Sequence, residues 1–184
     1  FDVVDDIEEA QFDADAALAA EGSQWVSENW DPDLSVDEWW KIVAAAGWTA
    51  PHFSVEQGGK GLERRSEGIV RQAFKDYGAL LPPGGLGLLM AAPTILTQGT
   101  PEQIERHVTP VLEGQLAWAQ LFSEPGAGSD LAGLTTRAER DGDQWIINGQ
   151  KVWSSMAREA DWGMLIARTN FDVVKHAGLS WFAF

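Results

Sequence analysis

The sequence predicts an α+β chain in two parts, a helical domain over residues 1–116 followed by an antiparallel β domain over residues 117–184. Two observations carry this reading. Apolar residues recur at helical spacing as far as Gly114, after which the period changes to alternation. Helix-start signals fall in the first part and a hairpin signal in the second. With 184 residues, 45% of them apolar, the chain is long enough to bury a core of ordinary size.

The elements follow in order. Over residues 8–28, Phe12, Ala16, Ala19, Trp25 and Val26 fall roughly on one face and acidic residues cover the rest, which predicts an amphipathic helix. Ser35 and Glu38 form a capping box for a second helix that carries Trp39, Trp40, Ile42 and Val43 and stops at Gly47. A glycine-bearing loop over 51–61 leads to a third helix over 62–77, with Ile69, Val70, Phe74 and Tyr77 spaced for burial. Residues 86–98 are apolar nearly all round, the pattern of a central helix packed on every side. Thr100, Pro101 and Gln103 supply an N-cap, a first-position proline and a capping-box partner for the next helix. Strands are then predicted over 118–123, 135–140, 144–147, 162–169 and 179–184. Asp141-Gly142-Asp143 joins the second strand to the third as a hairpin.

Composition excludes several classes of function. The 28 acidic residues against 13 basic ones give a charge of −15, which argues against nucleic acid as the main ligand. The acidity is concentrated: residues 1–40 hold thirteen carboxylates and no Lys or Arg, which reads as a solvated helix face, or as an acidic arm for a basic partner. There is no Cys, so disulfides and thiol chemistry are out, and His52, His107 and His176 lie too far apart in sequence to suggest a metal site. No apolar run reaches the length of a membrane span and no basic-then-apolar leader opens the chain, so the expectation is a cytoplasmic protein, or a matrix protein in a mitochondrion-bearing cell, with no membrane partner. Ten Trp against one Tyr suggest either aromatic platforms for a flat ligand or core packing.

Two segments concentrate chemical groups. Ser123-Glu124-Pro125-Gly126-Ala127-Gly128-Ser129-Asp130 joins two predicted strands. Glycines let successive amides converge and hydroxyls add donors, so the segment suits a phosphate or the electron-rich edge of a ring; in isolation it also reads as a β-turn. Its Gly-x-Gly is no dinucleotide fingerprint, because Leu131 stands where the third glycine belongs and no βαβ unit surrounds it. In Trp153-Ser154-Ser155 an indole stands beside two hydroxyls, an arrangement that suits stacking on a flat ring with a donor to a ring nitrogen.

Together these segments resemble the acyl-CoA dehydrogenase family. The run from Leu121 to Asp130, followed by Asn148-Gly149-Gln150-Lys151-Val152-Trp153-Ser154-Ser155, is similar to the family's flavin-binding core. The resemblance extends back to Glu56-Gln57-Gly58-Gly59-Lys60-Gly61-Leu62 and Gly99-Thr100-Pro101-Glu102-Gln103, and forward through Ala160-Asp161-Trp162 and Lys175-His176-Ala177-Gly178-Leu179. It implies FAD as cofactor and α,β-dehydrogenation of an acyl-CoA thioester in fatty acid metabolism and lipid degradation, with hydride passing to flavin N5. It also implies a homotetramer, built as a dimer of dimers, with an electron-transferring flavoprotein as acceptor.

Carried over residue by residue, Gln120, Leu121, Phe122 and Ser123 match the stretch beside the flavin ring, with the Ser123 hydroxyl on its pyrimidine edge. Gly128 and Ser129 match the phosphate-contacting turn, and Ser129 together with Met90 is implied to touch substrate. Trp153, Ser154 and Ser155 match the ring platform, with Ser155 donating toward N5. Most family members have Thr where this chain has Ser123 and Ser155, and Gln120 stands where an aromatic residue is common. The base of the family is a Glu in a C-terminal four-helix domain to which no residue here corresponds, so the expectation is a fragment that is inactive alone. Two alternatives share the resemblance: a non-catalytic subunit of a mixed assembly, and a same-fold flavin monooxygenase or oxidase. Gly84, Gly85 and Gly87 suggest room for a branched or ring-bearing acyl group, or simply a connector between helices.

Overall fold

The computed structural model describes residues 2–184, with side chains from Gln11 onward; the side chains of Asp2, Asp5, Asp6, Glu8 and Glu9 lie outside the described residues. The chain divides into two compact units, one running to Gly84 and resuming at Thr94–Gln115, the other made of Gly85–Pro93 and Leu116–Phe184.

The first unit is helical. Helix α1 spans Asp2–Asn29, α2 Val36–Ala45 and α3 Ser66–Tyr77; α4 (Ala92–Gln98) and α5 (Pro101–Leu112) follow. Both expected capping boxes are present. Ser35 Oγ accepts from the Glu38 amide while the Glu38 carboxylate accepts from the Ser35 amide, and Thr100 and Gln103 repeat the exchange. The core is aromatic: Val26, Trp39, Val43, Trp48, Val70 and Phe74 are buried, with Trp25, Trp30 and Trp40 packed around them. Trp25 meets Trp39, Trp48 and Phe74 at ring separations of 5.6, 6.1 and 5.8 Å, and Trp30 meets Trp39 edge-on at 4.7 Å. An indole buried without a partner for its N–H is costly. Trp39 Nε1 therefore donates to the Leu80 carbonyl at 2.7 Å and Trp40 Nε1 to that of Leu81 at 2.9 Å, which anchors the segment after α3.

Three expectations within the helices need correction. Phe12 is 73% exposed and Ala16 is exposed; the inward stripe of α1 runs instead through Leu18, Ala19, Gly22, Trp25 and Val26, where Gly22 lets α1 approach Ala73 of α3. Helix α3 begins at Ser66 rather than at residue 62, because the Ser66 hydroxyl turns back onto the Glu63 carbonyl, and Tyr77 at its end is exposed. The stretch over 86–98 is not one regular helix. Gly87–Ala91 forms a wide π turn, closed by the Ala92 amide on the Gly87 carbonyl, before α4 begins. Pro93 has no N–H to give to the Leu89 carbonyl, so the α-helical ladder loses a bond at this point, next to the wide turn.

The second unit is built on a five-stranded sheet of β1 (Trp118–Leu121), β2 (Arg137–Asp141), β3 (Gln144–Asn148), β4 (Trp162–Arg168) and β5 (Leu179–Ala183). The hairpin turn between β2 and β3 forms as expected, with Gly142 at φ 59°. The sheet is mixed rather than antiparallel, however. β1 pairs parallel with β4 in the register Trp118↔Trp162, and β2 meets β4 parallel at Arg137↔Arg168, while β2–β3 and β4–β5 are antiparallel. The forty residues between β1 and β4 supply the long crossover a parallel pair requires, and the alternation of apolar residues carries no information on strand direction. Trp118 stacks with Trp162 at 6.0 Å and Trp181 at 6.2 Å, and Ala138, Leu165 and Ala167 form a small core.

Candidate functional site

The turn that leaves β1 is held by its own carboxylate. Glu124 is buried, with its side chain only 4% exposed, and both of its oxygens are engaged. Oε2 accepts from the Thr135 amide at 2.7 Å and the Thr135 hydroxyl at 2.8 Å; Oε1 accepts from the Thr136 amide at 2.9 Å and from Lys151 Nζ at 3.0 Å. Burial by itself raises a carboxyl pKa, but the polar groups of Thr136 and Thr135 outweigh it and hold Glu124 at about 2. The turn closes by reciprocal backbone hydrogen bonds between Glu124 and Ala127.

Lys151 binds the second segment to the first. Its ammonium, 8% exposed at the side chain, donates to the Phe122 carbonyl at 2.9 Å as well as to Glu124, and the neighbouring Val152 amide donates to the Ser123 carbonyl at 2.9 Å. Gly149 permits the approach, since a Cβ there would collide with the Thr136 side chain. Immediately afterwards Trp153 adopts φ 57°, the left-handed region, and its side chain stands 89% exposed. Met156 is a second non-glycine residue in that region, at φ 66°. The Ser155 amide donates to the Trp153 carbonyl at 2.8 Å, a bond internal to the loop, while the Val152 amide ties the residue before Trp153 to the exit of β1.

The sequence-predicted site residues distribute as follows. Gln120 and Leu121 lie on β1, with Phe122 and Ser123 directly after it and half-buried; Gly128 and Ser129 are exposed in the turn. Trp153 and Ser155 are exposed and Ser154 half-buried in the loop after β3. Met90 lies in the π turn, where its sulfur accepts from Gln120 Nε2 at 3.7 Å. Asp130, at the end of the turn, receives Lys175 on both carboxylate oxygens at 2.7 Å, which holds its carboxyl below the usual range. Sequence reasoning missed Lys151 and the Thr135–Thr136 pair. A lysine is ordinarily an exposed residue, and nothing in its neighbours signals that this one is buried.

Two family profiles cover this chain: the acyl-CoA dehydrogenase N-terminal domain matches residues 6–115 and the middle domain matches residues 119–184. The chain belongs to the acyl-CoA dehydrogenase family. The acyl-CoA dehydrogenase FadE34 of Mycobacterium tuberculosis is 45% identical over 140 residues, which is 76% of this chain and 19% of that protein. Among solved structures, a chain of the Tcur3481-Tcur3483 steroid ACAD superposes with a TM-score of 0.71 at 31% identity, over 92% of this chain and 47% of that one. A chain of the ChsE4-ChsE5 complex from Mycobacterium tuberculosis does so with a TM-score of 0.70 at 32% identity, over 92% and 46%. The chain thus spans about a fifth of FadE34 and under half of these solved chains. Acyl-CoA dehydrogenases are generally FAD-dependent oxidoreductases of lipid metabolism. Among the described residues, no helix is long and apolar enough to cross a membrane.

Proposed function

We propose that this chain carries the flavin platform of an FAD-dependent acyl-CoA dehydrogenase that introduces an α,β double bond into an acyl-CoA thioester. The observation that carries the reading is the Val152–Ser123 hydrogen bond at 2.9 Å, which joins the hydroxyl-bearing exit of β1 to the segment presenting Trp153. An indole held in a strained conformation and left almost wholly exposed has no packing role in this unit, and an exposed flat ring beside hydroxyl donors fits the edge of an isoalloxazine.

Bound FAD would accept the hydride that leaves the substrate's β carbon. Ser123 is proposed to donate to the pyrimidine edge, where negative charge gathers on reduction, and Ser155 toward N5. Trp153 would cover the ring and exclude water. Gln120, Leu121, Phe122 and Ser154 would line the ring's surroundings. Gly128 and Ser129 would take a phosphate of the cofactor, with Ser129 and Met90 reaching the thioester. Glu124 has no part in proton abstraction: at about 2 its pKa is far too low for a base acting on a weakly acidic α proton, and both its oxygens are already engaged. The base is proposed to come from outside these residues.

A bulky, ring-bearing acyl group fits the reading better than a straight chain. The support for this is that a structural relative is described as a steroid ACAD; Gly84 and Gly85 are exposed, and the space beside them is solvent, which favours the reading of this segment as a connector. Similarity to a chain of the ChsE4-ChsE5 complex supports a second reading for assembly, in which this chain pairs with a different subunit rather than forming a homotetramer. In either assembly an electron-transferring flavoprotein is the proposed acceptor.

Anaerobic titration of the flavin-loaded, full-length protein tests the function. Bleaching of the flavin bands by acyl-CoA thioesters, stronger for ring-bearing than for straight acyl groups, is expected. A preparation that takes up no FAD, or that no acyl-CoA reduces, overturns the reading.

A further inference from the structure

The geometry points to Lys151 as a positioning residue: its ammonium, held by Glu124 and the Phe122 carbonyl, keeps Trp153 in its left-handed conformation and sets the spacing between Trp153 and Ser123. The consequence for a bound ring rests on the flavin reading above; the conformational claim does not.

Glu124 has four donors, and three of them come from Thr135 and Thr136. The fourth, Lys151, is the one that reaches the opposite segment. The carboxylate is therefore a fixed post anchored to the start of β2, and Lys151 is the movable part tied to it. Three hydrogen bonds cross from residues 151–152 to residues 122–124: the Val152 amide on the Ser123 carbonyl, and the Lys151 ammonium on the Phe122 carbonyl and on Glu124. Trp153 follows directly, at φ 57°. An aromatic residue persists in that region only where its surroundings over-determine it. The local bonds after it, from the Ser155 amide to the Trp153 carbonyl and from the Ala157 amide to the Ser154 carbonyl, travel with the loop and do not fix it to β1. The crossing bonds supply the external constraint, and two of the three are charge-assisted bonds from the buried Lys151 ammonium.

A buried lysine whose side chain reaches a carboxylate and a carbonyl is an expensive way to hold a loop, and replacing both charges by apolar groups of similar volume often costs a fold nothing. Retention of the pair is accounted for by geometry. A carboxylate with both oxygens filled leaves a single position for the ammonium, and that position fixes the register of the 150–155 segment against β1 to within a hydrogen bond's tolerance.

The test uses three variants of the full-length protein: K151M, which keeps the length and removes the charge; K151Q, which keeps a donor for the Phe122 carbonyl; and K151R, which keeps the charge. Hydrogen exchange of the apo protein reads the conformational claim without any cofactor. In K151M the amides of residues 152–157 should exchange at least about tenfold faster, with Thr135 and Thr136 unchanged and K151R intermediate. Titration with FAD reads the spacing: affinity should fall by roughly tenfold or more in K151M, with a shift of the visible flavin bands, and recover in part in K151R. If K151M does not fold, K151Q against K151R decides by the same two readouts. Unchanged exchange at 152–157, or equal acceleration at Thr135 and Thr136, overturns the proposal. Accelerated exchange in a protein whose wild type binds no FAD leaves Lys151 as the loop's anchor and overturns the flavin reading instead.

Discussion

Trp39 and Trp153 are the same side chain in opposite circumstances. Trp39, in the helical unit, is fully buried among Trp25, Trp30 and Phe74 and gives its N–H to the Leu80 carbonyl. Trp153, in the sheet unit, is almost fully exposed on a backbone that other residues must hold in place. The helical unit places its aromatic surface in its own interior. The sheet unit buries Trp118 against Trp162 and Trp181, but around Glu124 and Lys151 it is held by a polar network, and there it presents Trp153 outward. A side chain that stabilises its fold packs inward; one that is exposed and strained is available to a ligand.

Removing the buried partner should have the largest effect. Trp39→Ala is expected to lower unfolding stability by about 3–5 kcal/mol in denaturant titration, through the cavity and the orphaned Leu80 carbonyl, and a loss near 1 kcal/mol would put the helical core elsewhere.

Acid should act next, and on the sheet unit. Because the folded-state pKa of Glu124 is depressed to about 2, its contribution is fully present above the ordinary carboxylate value and is lost as pH falls through about 2. The window is roughly pH 4.5 to 2, and the contribution is on the order of 3 kcal/mol. Acid titration of wild type against Glu124→Gln should therefore show the gap between them closing across that window; a gap that stays constant would remove Glu124 from the network.

The smallest effect should carry the opposite sign. Trp153→Gly relieves the left-handed strain and is expected to raise the stability of the flavin-free protein by about 0.5–1 kcal/mol while weakening FAD binding, by thermal unfolding and flavin titration respectively. Lower stability in this variant would mean that Trp153 packs within its own fold, and the contrast with Trp39 would fail.

Much of this architecture is legible in the sequence because its causes are local. The capping boxes at Ser35–Glu38 and Thr100–Gln103 need residues only three positions apart, and the hairpin at Gly142 needs a turn of two residues. The helical spacing of Val70 and Phe74, and the motifs around Ser123 and Trp153, are contiguous in the chain. They suffice for the order of elements and for the family.

What tertiary structure decided is non-local. Whether β1 runs parallel or antiparallel to β4 depends on a crossover of forty residues, and alternation reads the same either way. Phe12 fits the helical period of α1 but lies beyond the part of that helix with a packed face to meet, so spacing alone misplaced it. The burial of Lys151 depends on Glu124, 27 positions earlier, being held by Thr135 and Thr136. The sequence determined which groups the chain brings to the site, since residue identity and local backbone preference are written in it. Only folding determined which of them point outward and which act as anchors, because burial and ion pairing arise between segments far apart in the chain.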